Sequence, residues 1–134
     1  MKKSLIAVPI GDPAGVGPEI VAKSVASKEV FDVANCVIVG DRQIMENAIQ
    51  IVGADLTVNL IEAEEGDYRK GILNLIDLGN VDMAKFEFGK VNGMCGKAAY
   101  EYIAKCIELA NNGKVDAVAT TPINKESLRA GGIN

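Results

Sequence analysis

The sequence predicts an α/β fold built from β-α-β steps, on three observations. Short apolar runs at Leu5–Ile10, Asn35–Val39, Thr57–Ile61, Ile72–Leu78 and Val115–Thr120 have the length of strands. Most of the stretches between them carry apolar residues at helical spacing. Composition, 49% hydrophobic against 24% charged in 134 residues, suffices for one domain with a core and argues against disorder. Residues 1–134 read as one body, without internal repeat, low-complexity tract or linker.

In chain order, the opening run is a strand, and Pro18 suits the first position of the following helix. Gly17 stands before it as cap and Glu19 falls in its first turn. This helix is expected to reach about Lys28, with Ile20, Val21, Ser24 and Val25 on its spacing, and Asn35–Val39 completes one β-α-β step. Asp41 is placed to cap a helix whose apolar face is Ile44, Met45, Ala48, Ile49 and Val52, closed by Gly53. A short strand follows at Thr57–Ile61, then a polar stretch from Glu62 to Gly71, then a strand at Ile72–Leu78.

Gly79–Asn92 reads as an irregular connection, with Phe86 and Phe88 packing it onto the body. The longest helix is expected over Gly93–Asn112, with Ala99, Tyr102, Ile103, Cys106 and Ala110 on one face. Glu101 and Lys105 are spaced to pair one turn apart, and Gly113 supplies the stop. Val115–Thr120 is then expected as a buried strand, and Thr121-Pro122-Ile123-Asn124-Lys125 follows at its carboxyl end, where open α/β sheets place their ligands.

The stretch Gly11–Ile20, GDPAGVGPEI, is the strongest local signal. Three glycines in seven residues remove side chains where the backbone bends or approaches something closely, and a helix start directs unpaired N–H groups at that place. A phosphate or carboxylate would fit there; so would the plainer reading of a tight βα turn. It is not a Walker loop, because Pro18 follows Gly17, and it lacks the sixth-place glycine of the dinucleotide pattern. Thr120, Thr121, Asn124 and Lys125 offer hydroxyls, an amide and an ammonium, a set suited to oxyanions, although Asn124 would equally cap a short helix.

Other classes are excluded or weakened by composition. Net charge is −4, with three Phe, three Tyr and no Trp, so neither a basic stripe nor a stacking platform for nucleic acid is present. No apolar run reaches membrane-spanning length and the amino terminus does not read as a secretion signal, which leaves a cytoplasmic location as the expectation. Cys36, Cys95 and Cys106 lack any CxxC spacing and read as free buried thiols. The acids Glu62, Glu64, Glu65 and Asp67 read as a solvated loop rather than a metal site, lacking EF-hand spacing. There is no histidine.

GDPAGVGPEI at Gly11–Ile20, GKAAYEYIAKCIELA at Gly96–Ala110 and GKVDAVATTPINKE at Gly113–Glu126 together resemble the amino-terminal part of the 4-hydroxythreonine-4-phosphate dehydrogenase family, including relatives that act on phosphorylated sugar acids. The resemblance implies a three-layer α/β fold of the isocitrate and isopropylmalate dehydrogenase type and a homodimer with a shared active site. It also implies oxidation of a secondary alcohol on a phosphorylated substrate by NAD or NADP, assisted by a divalent metal (Mg, Zn or Co), with loss of carbon dioxide. By the same resemblance Gly11, Asp12, Pro13, Gly15, Val16 and Gly17, with Pro18, form a loop beside the cofactor. Thr121, Asn124 and Lys125, with Pro122, lie near bound substrate.

The family continues, after a position like Gly131-Gly132, into a Gly-His-Thr-Glu segment and later supplies metal-binding histidines, none of which occurs in these 134 residues. The resemblance thus covers about the first two-fifths of a full enzyme, and this chain alone is expected to be inactive. Neither a catalytic nor a metal-binding residue is assigned within it. A non-catalytic phosphate-binding or interaction domain is the alternative reading.

Overall fold

The computed structural model describes residues 3–87, 92–120 and 132. Five strands, β1 Ser4–Pro9, β2 Ala34–Gly40, β3 Thr57–Leu60, β4 Ile72–Asp77 and β5 Ala117–Val118, form one sheet in the order β3-β4-β2-β1-β5, every pair parallel. The helices are α1 Gly17–Ala26, α2 Lys28–Val33, α3 Arg42–Val52 and α4 Gly93–Asn111, with a single 3-10 turn at Met83–Lys85. Successive steps from β1 to β2 and from β2 to β3 move one way along the sheet, and the step from β4 to β5 moves the other way. Right-handed crossovers then place α1 and α3 on one face and α4 on the opposite one.

β1 and β2 hold a continuous register from Ser4↔Ala34 to Pro9↔Val39. Side chains alternate between faces, so Ile6, Val8, Cys36 and Ile38 share the face of α1, where with Ile20 and Val25 they line an apolar cleft of about 220 Å³. Ala7, Val37 and Val39 face the other way and are fully buried. α4 contributes Ala98, Tyr102, Cys106 and Leu109 to the core. At the far edge β5 pairs only with β1; Ala117 is exposed and Val118 half-buried. The expectation of a buried strand there is corrected: as an edge strand it has a neighbour on one side only among the described residues.

Three local expectations also change. The first helix stops at Ala26, because Ser27 leaves the helical region at φ −71, ψ 127 and its hydroxyl caps a separate helix, α2, by accepting from Val30 N–H at 3.5 Å. Glu101 does not pair with Lys105; it accepts from Asn80 Nδ2 at 3.2 Å, and Lys105 Nζ lies 3.6 Å from Glu108. The polar segment after β3 is pinned rather than simply solvated. Asn74 on β4, 2% exposed, accepts from Asp67 N–H at 2.8 Å and from Asn59 Nδ2 at 2.9 Å, and donates to Asp67 O at 2.7 Å.

Asp41 and Gly53 bound α3 as expected: the Asp41 carboxylate accepts from Gln43 and Ile44 N–H, and Gly53 takes φ 68. Phe86 packs partly against the core, and Phe88 lies outside the described residues. All three cysteines are free, with Cys95 and Cys106 buried and Cys36 half-buried. No described helix is long and apolar enough to cross a membrane.

Asn74→Ala should cost about 2 to 4 kcal/mol, because it leaves the Asp67 amide and carbonyl without their partner. Denaturant titration checks this through the midpoint at unchanged slope. A loss below about 0.5 kcal/mol would show that the 62–71 segment does not depend on Asn74.

Candidate functional site

The carboxyl end of β1 leads directly into the Gly11–Gly17 loop, and its geometry follows from a close approach of two strand ends. Ile10 N–H donates to Val39 O at 3.1 Å, extending the ladder by one residue. The Ile10 side chain then lies against the Gly40 backbone: a Cβ at Gly40 would stand 2.6 to 2.9 Å from three of its carbons. Gly11 turns the chain at φ 77, a conformation that glycine takes without strain. Asp12 closes the turn, its Oδ1 accepting from Ala14 N–H at 2.8 Å and its carbonyl from Gly15 N–H at 2.9 Å.

Gly11 to Ala14 are buried, Gly15 and Val16 form an exposed tip, and Gly17 and Pro18 are buried again as α1 begins. The helix cap is Val16, not Gly17: the helix starts one residue earlier than the position of Pro18 suggests. Valine has no side-chain acceptor, so the first N–H groups of α1 have no side-chain cap. Val16 is also 57% exposed, an apolar residue left at the loop tip.

Asp12 is the unusual member. It is 3% exposed, and its Oδ2 is buried without a hydrogen-bond partner. Across from it is Cys95, in the first turn of α4, whose thiol is pushed up to about 11 by burial first and by Asp12 second, with Ala14 N–H acting in the opposite sense. The carboxylate is thus set beside a helix start, where negative charge is favoured. α4 itself is capped by Asn92, whose Oδ1 accepts from Met94 N–H at 2.8 Å.

The ends of β2 and β4 add two further acids. Asp41 caps α3, and burial, more than the nearby Asp77, raises its pKa against the lowering effect of backbone N–H groups of Ile44, Gln43 and Val81. Asp77 Oδ1 accepts from Arg42 N–H at 3.2 Å and Gly79 N–H at 2.9 Å. Behind them Tyr102, 0% exposed, donates its hydroxyl to Asn80 Oδ1 at 2.8 Å, and its pKa is raised by burial and then by Asp41 and Cys95. The sequence placed Tyr102 on the buried face but not this network; the need of a buried phenol for a partner was the available signal.

Asp12, Asp41 and Asp77 thus stand together at this end of the sheet, beside the uncapped start of α1. Thr121, Asn124 and Lys125 lie outside the described residues, which end in that region at the exposed Thr120. Among the described residues no group of three or more His, Cys, Asp or Glu is arranged to hold a metal ion. Of the acids after β3, Asp67 pairs with Arg69 at 2.6 Å and Glu64 with Lys114 at 3.7 Å.

Residues 32–134 match the family model described as pyridoxal phosphate biosynthetic protein PdxA. The chain belongs to that family. A protein of Fusobacterium nucleatum that carries the provisional name D-threonate 4-phosphate dehydrogenase is 60% identical over 133 residues, which cover 98% of this chain and 40% of that protein. A Clostridium botulinum protein with the same provisional name is 50% identical over equal spans. The crystal structure of a 4-hydroxythreonine-4-phosphate dehydrogenase from Burkholderia phymatum superposes with a TM-score of 0.94 at 40% identity, covering 99% of this chain and 40% of that one. The chain therefore spans about two-fifths of these relatives' length, and their architecture confirms the α/β fold expected from the sequence.

The buried thiols give the region a pH signature. Cys95 is held up to about 11 and Cys106, by burial, to about 12, both above the ordinary 9.0. Folding favours the protonated thiols, so their contribution is complete below the ordinary value and is lost as pH rises through the folded values. Thermal melts from about pH 8 to about pH 11 should show the midpoint falling above about pH 9, and a flat profile would contradict the burial of these groups.

Proposed function

We propose that this chain is the amino-terminal part of an NAD(P)-dependent, divalent-metal-assisted dehydrogenase that oxidises a 4-phosphorylated hydroxy acid with decarboxylation. D-threonate 4-phosphate is the leading substrate, with the erythronate isomer and 4-hydroxythreonine 4-phosphate behind it. The observation that carries the reading is the family match together with the 60% identity to a protein bearing that substrate in its name. Family members are dehydrogenases, and in this chain the family's opening motif stands at the carboxyl end of a parallel sheet, the usual place for ligands in such folds.

In this reading Gly11, Asp12, Pro13, Gly15, Val16 and Gly17 lie against the dinucleotide, which when bound supplies the hydride acceptor. The buried glycines let it approach the backbone, and the uncapped N–H groups of α1 offer donors to it. Thr121, Asn124 and Lys125 hold the phosphorylated acid, with the Lys125 ammonium on an oxyanion. The described residues do not supply a metal donor set, so the metal falls to residues other than these. A homodimer in the cytoplasm completes the proposal.

A full-length protein carrying this sequence should reduce NAD or NADP with D-threonate 4-phosphate and a divalent metal, followed spectrophotometrically. Absence of turnover with every 4-phosphorylated hydroxy acid would sink the reading. The 134 residues alone are expected to give no turnover. In the full-length protein, Lys125→Ala should weaken substrate binding by roughly 1.5 to 3 kcal/mol, the worth of one charge-assisted hydrogen bond, with little change in thermal midpoint. Unchanged affinity would remove Lys125 from the site.

A further inference from the structure

At the amino-terminal end of the sheet, opposite the Gly11–Gly17 loop, a cleft of about 350 Å³ opens between the last turn of α1, α2 and the turns that lead into β3 and β4. Val25, Phe31 and Leu56 give it a half-buried apolar floor, and the exposed Asp55 and Lys70 stand at its rim. Its walls are held in place. Thr57 N–H donates to Gly71 O at 2.9 Å, which ties the two turns together, and Lys3 Nζ lies 3.9 Å from the centroid of the Phe31 ring.

The two rim charges set this cleft apart from the surface around it. Neighbouring cations are committed: Arg69 to Asp67 at 2.6 Å, Lys28 to Asp32 at 2.8 Å, and Lys3 to the ring and carbonyl of Phe31. Among the described residues the side chains of Asp55 and Lys70 have neither a hydrogen bond nor an ion pair, with each other or with a third group. A ligand with only an anionic group would gain at Lys70 and lose at Asp55, and one with only a cationic group would do the reverse. A zwitterion satisfies both, and an apolar portion attached to it covers the floor. The volume is that of about a dozen water molecules at roughly 30 Å³ each, so a ligand of about a dozen non-hydrogen atoms fits.

We propose that this cleft binds a free α-amino acid with a large apolar side chain. Asp55 takes the ammonium, Lys70 takes the carboxylate, and the side chain lies on Val25, Phe31 and Leu56. The site shares no residue with the proposed cofactor and substrate positions and stands or falls apart from them. An occupant would bridge α2 to the turns before β3 and β4.

Calorimetric titration of a full-length protein carrying this sequence with L-phenylalanine, phenylpropionate and phenethylamine tests the proposal. L-phenylalanine should bind with a Kd of about 1 mM or tighter. Phenylpropionate, which lacks the ammonium, and phenethylamine, which lacks the carboxylate, should each bind about three- to fivefold more weakly, the upper range for an exposed charge pair. Asp55→Asn and Lys70→Met should each weaken L-phenylalanine by the same factor, and Asp55→Asn should remove its advantage over phenylpropionate. Both positions are exposed, so thermal midpoints should not move; if either variant fails to fold, the two analogues carry the test. Absence of saturable binding of L-phenylalanine below about 10 mM, affinity that either folded variant leaves unchanged, or analogues that bind as tightly as the zwitterion would overturn the proposal.

Discussion

The contact between Ile10 and the backbone of Gly40 is the constraint from which the carboxyl end of the sheet follows. Six register pairs bring β1 and β2 side by side, and the strand ends then stay together for one residue more through Ile10 N–H and Val39 O. Any side chain at position 40 would overlap Ile10, so the approach depends on glycine for space and not for dihedral freedom. Once Ile10 is fixed, Gly11 must turn at positive φ, and Asp12 is carried down toward the start of α4. The exposed tip at Gly15 and Val16 is what remains above the surface.

α4 makes that arrangement rigid from below. Its amino-terminal half carries Cys95, Ala98, Ala99 and Tyr102 into the core, and the Tyr102 hydroxyl reaches Asn80 in the connection after β4. Asn92 caps the helix and also donates from Nδ2 to Lys85 O at 3.2 Å, so the 3-10 turn of that connection is tied to the same helix start. One helix thereby orders the ends of β1 and β4 together. Asp41 and Asp77 serve as helix and turn caps at this end, whereas Asp12 keeps a buried oxygen without a hydrogen-bond partner.

Much of the fold was legible because its punctuation is local. Asp41, Gly53 and Gly113 end or begin helices through their own hydrogen bonds or dihedral angles, and the strands β1, β2 and β4 are short apolar runs with no competing helical period. The break at Ser27 was missed because the apolar spacing runs through it; only the hydroxyl cap, a local contest between side chain and backbone, separates α1 from α2. The Glu101–Lys105 pair failed for a tertiary reason, since Asn80 arrives from a distant segment and offers Glu101 a directed hydrogen bond. At the site, the Gly and Pro spacing revealed the loop but not the burial of Asp12, which depends on α4 more than eighty residues later.

The central claim is that the loop leaving β1 is the cofactor-facing part of this chain. Hydrogen–deuterium exchange on a full-length protein carrying this sequence, with and without nicotinamide dinucleotide, tests it most directly. The expected result is slower exchange at the amides of Gly15, Val16, Gly17 and Glu19 on addition of dinucleotide, with the Asn74-pinned segment of residues 62–71 unchanged. Protection confined to other segments, with the loop exchanging as before, would contradict the claim.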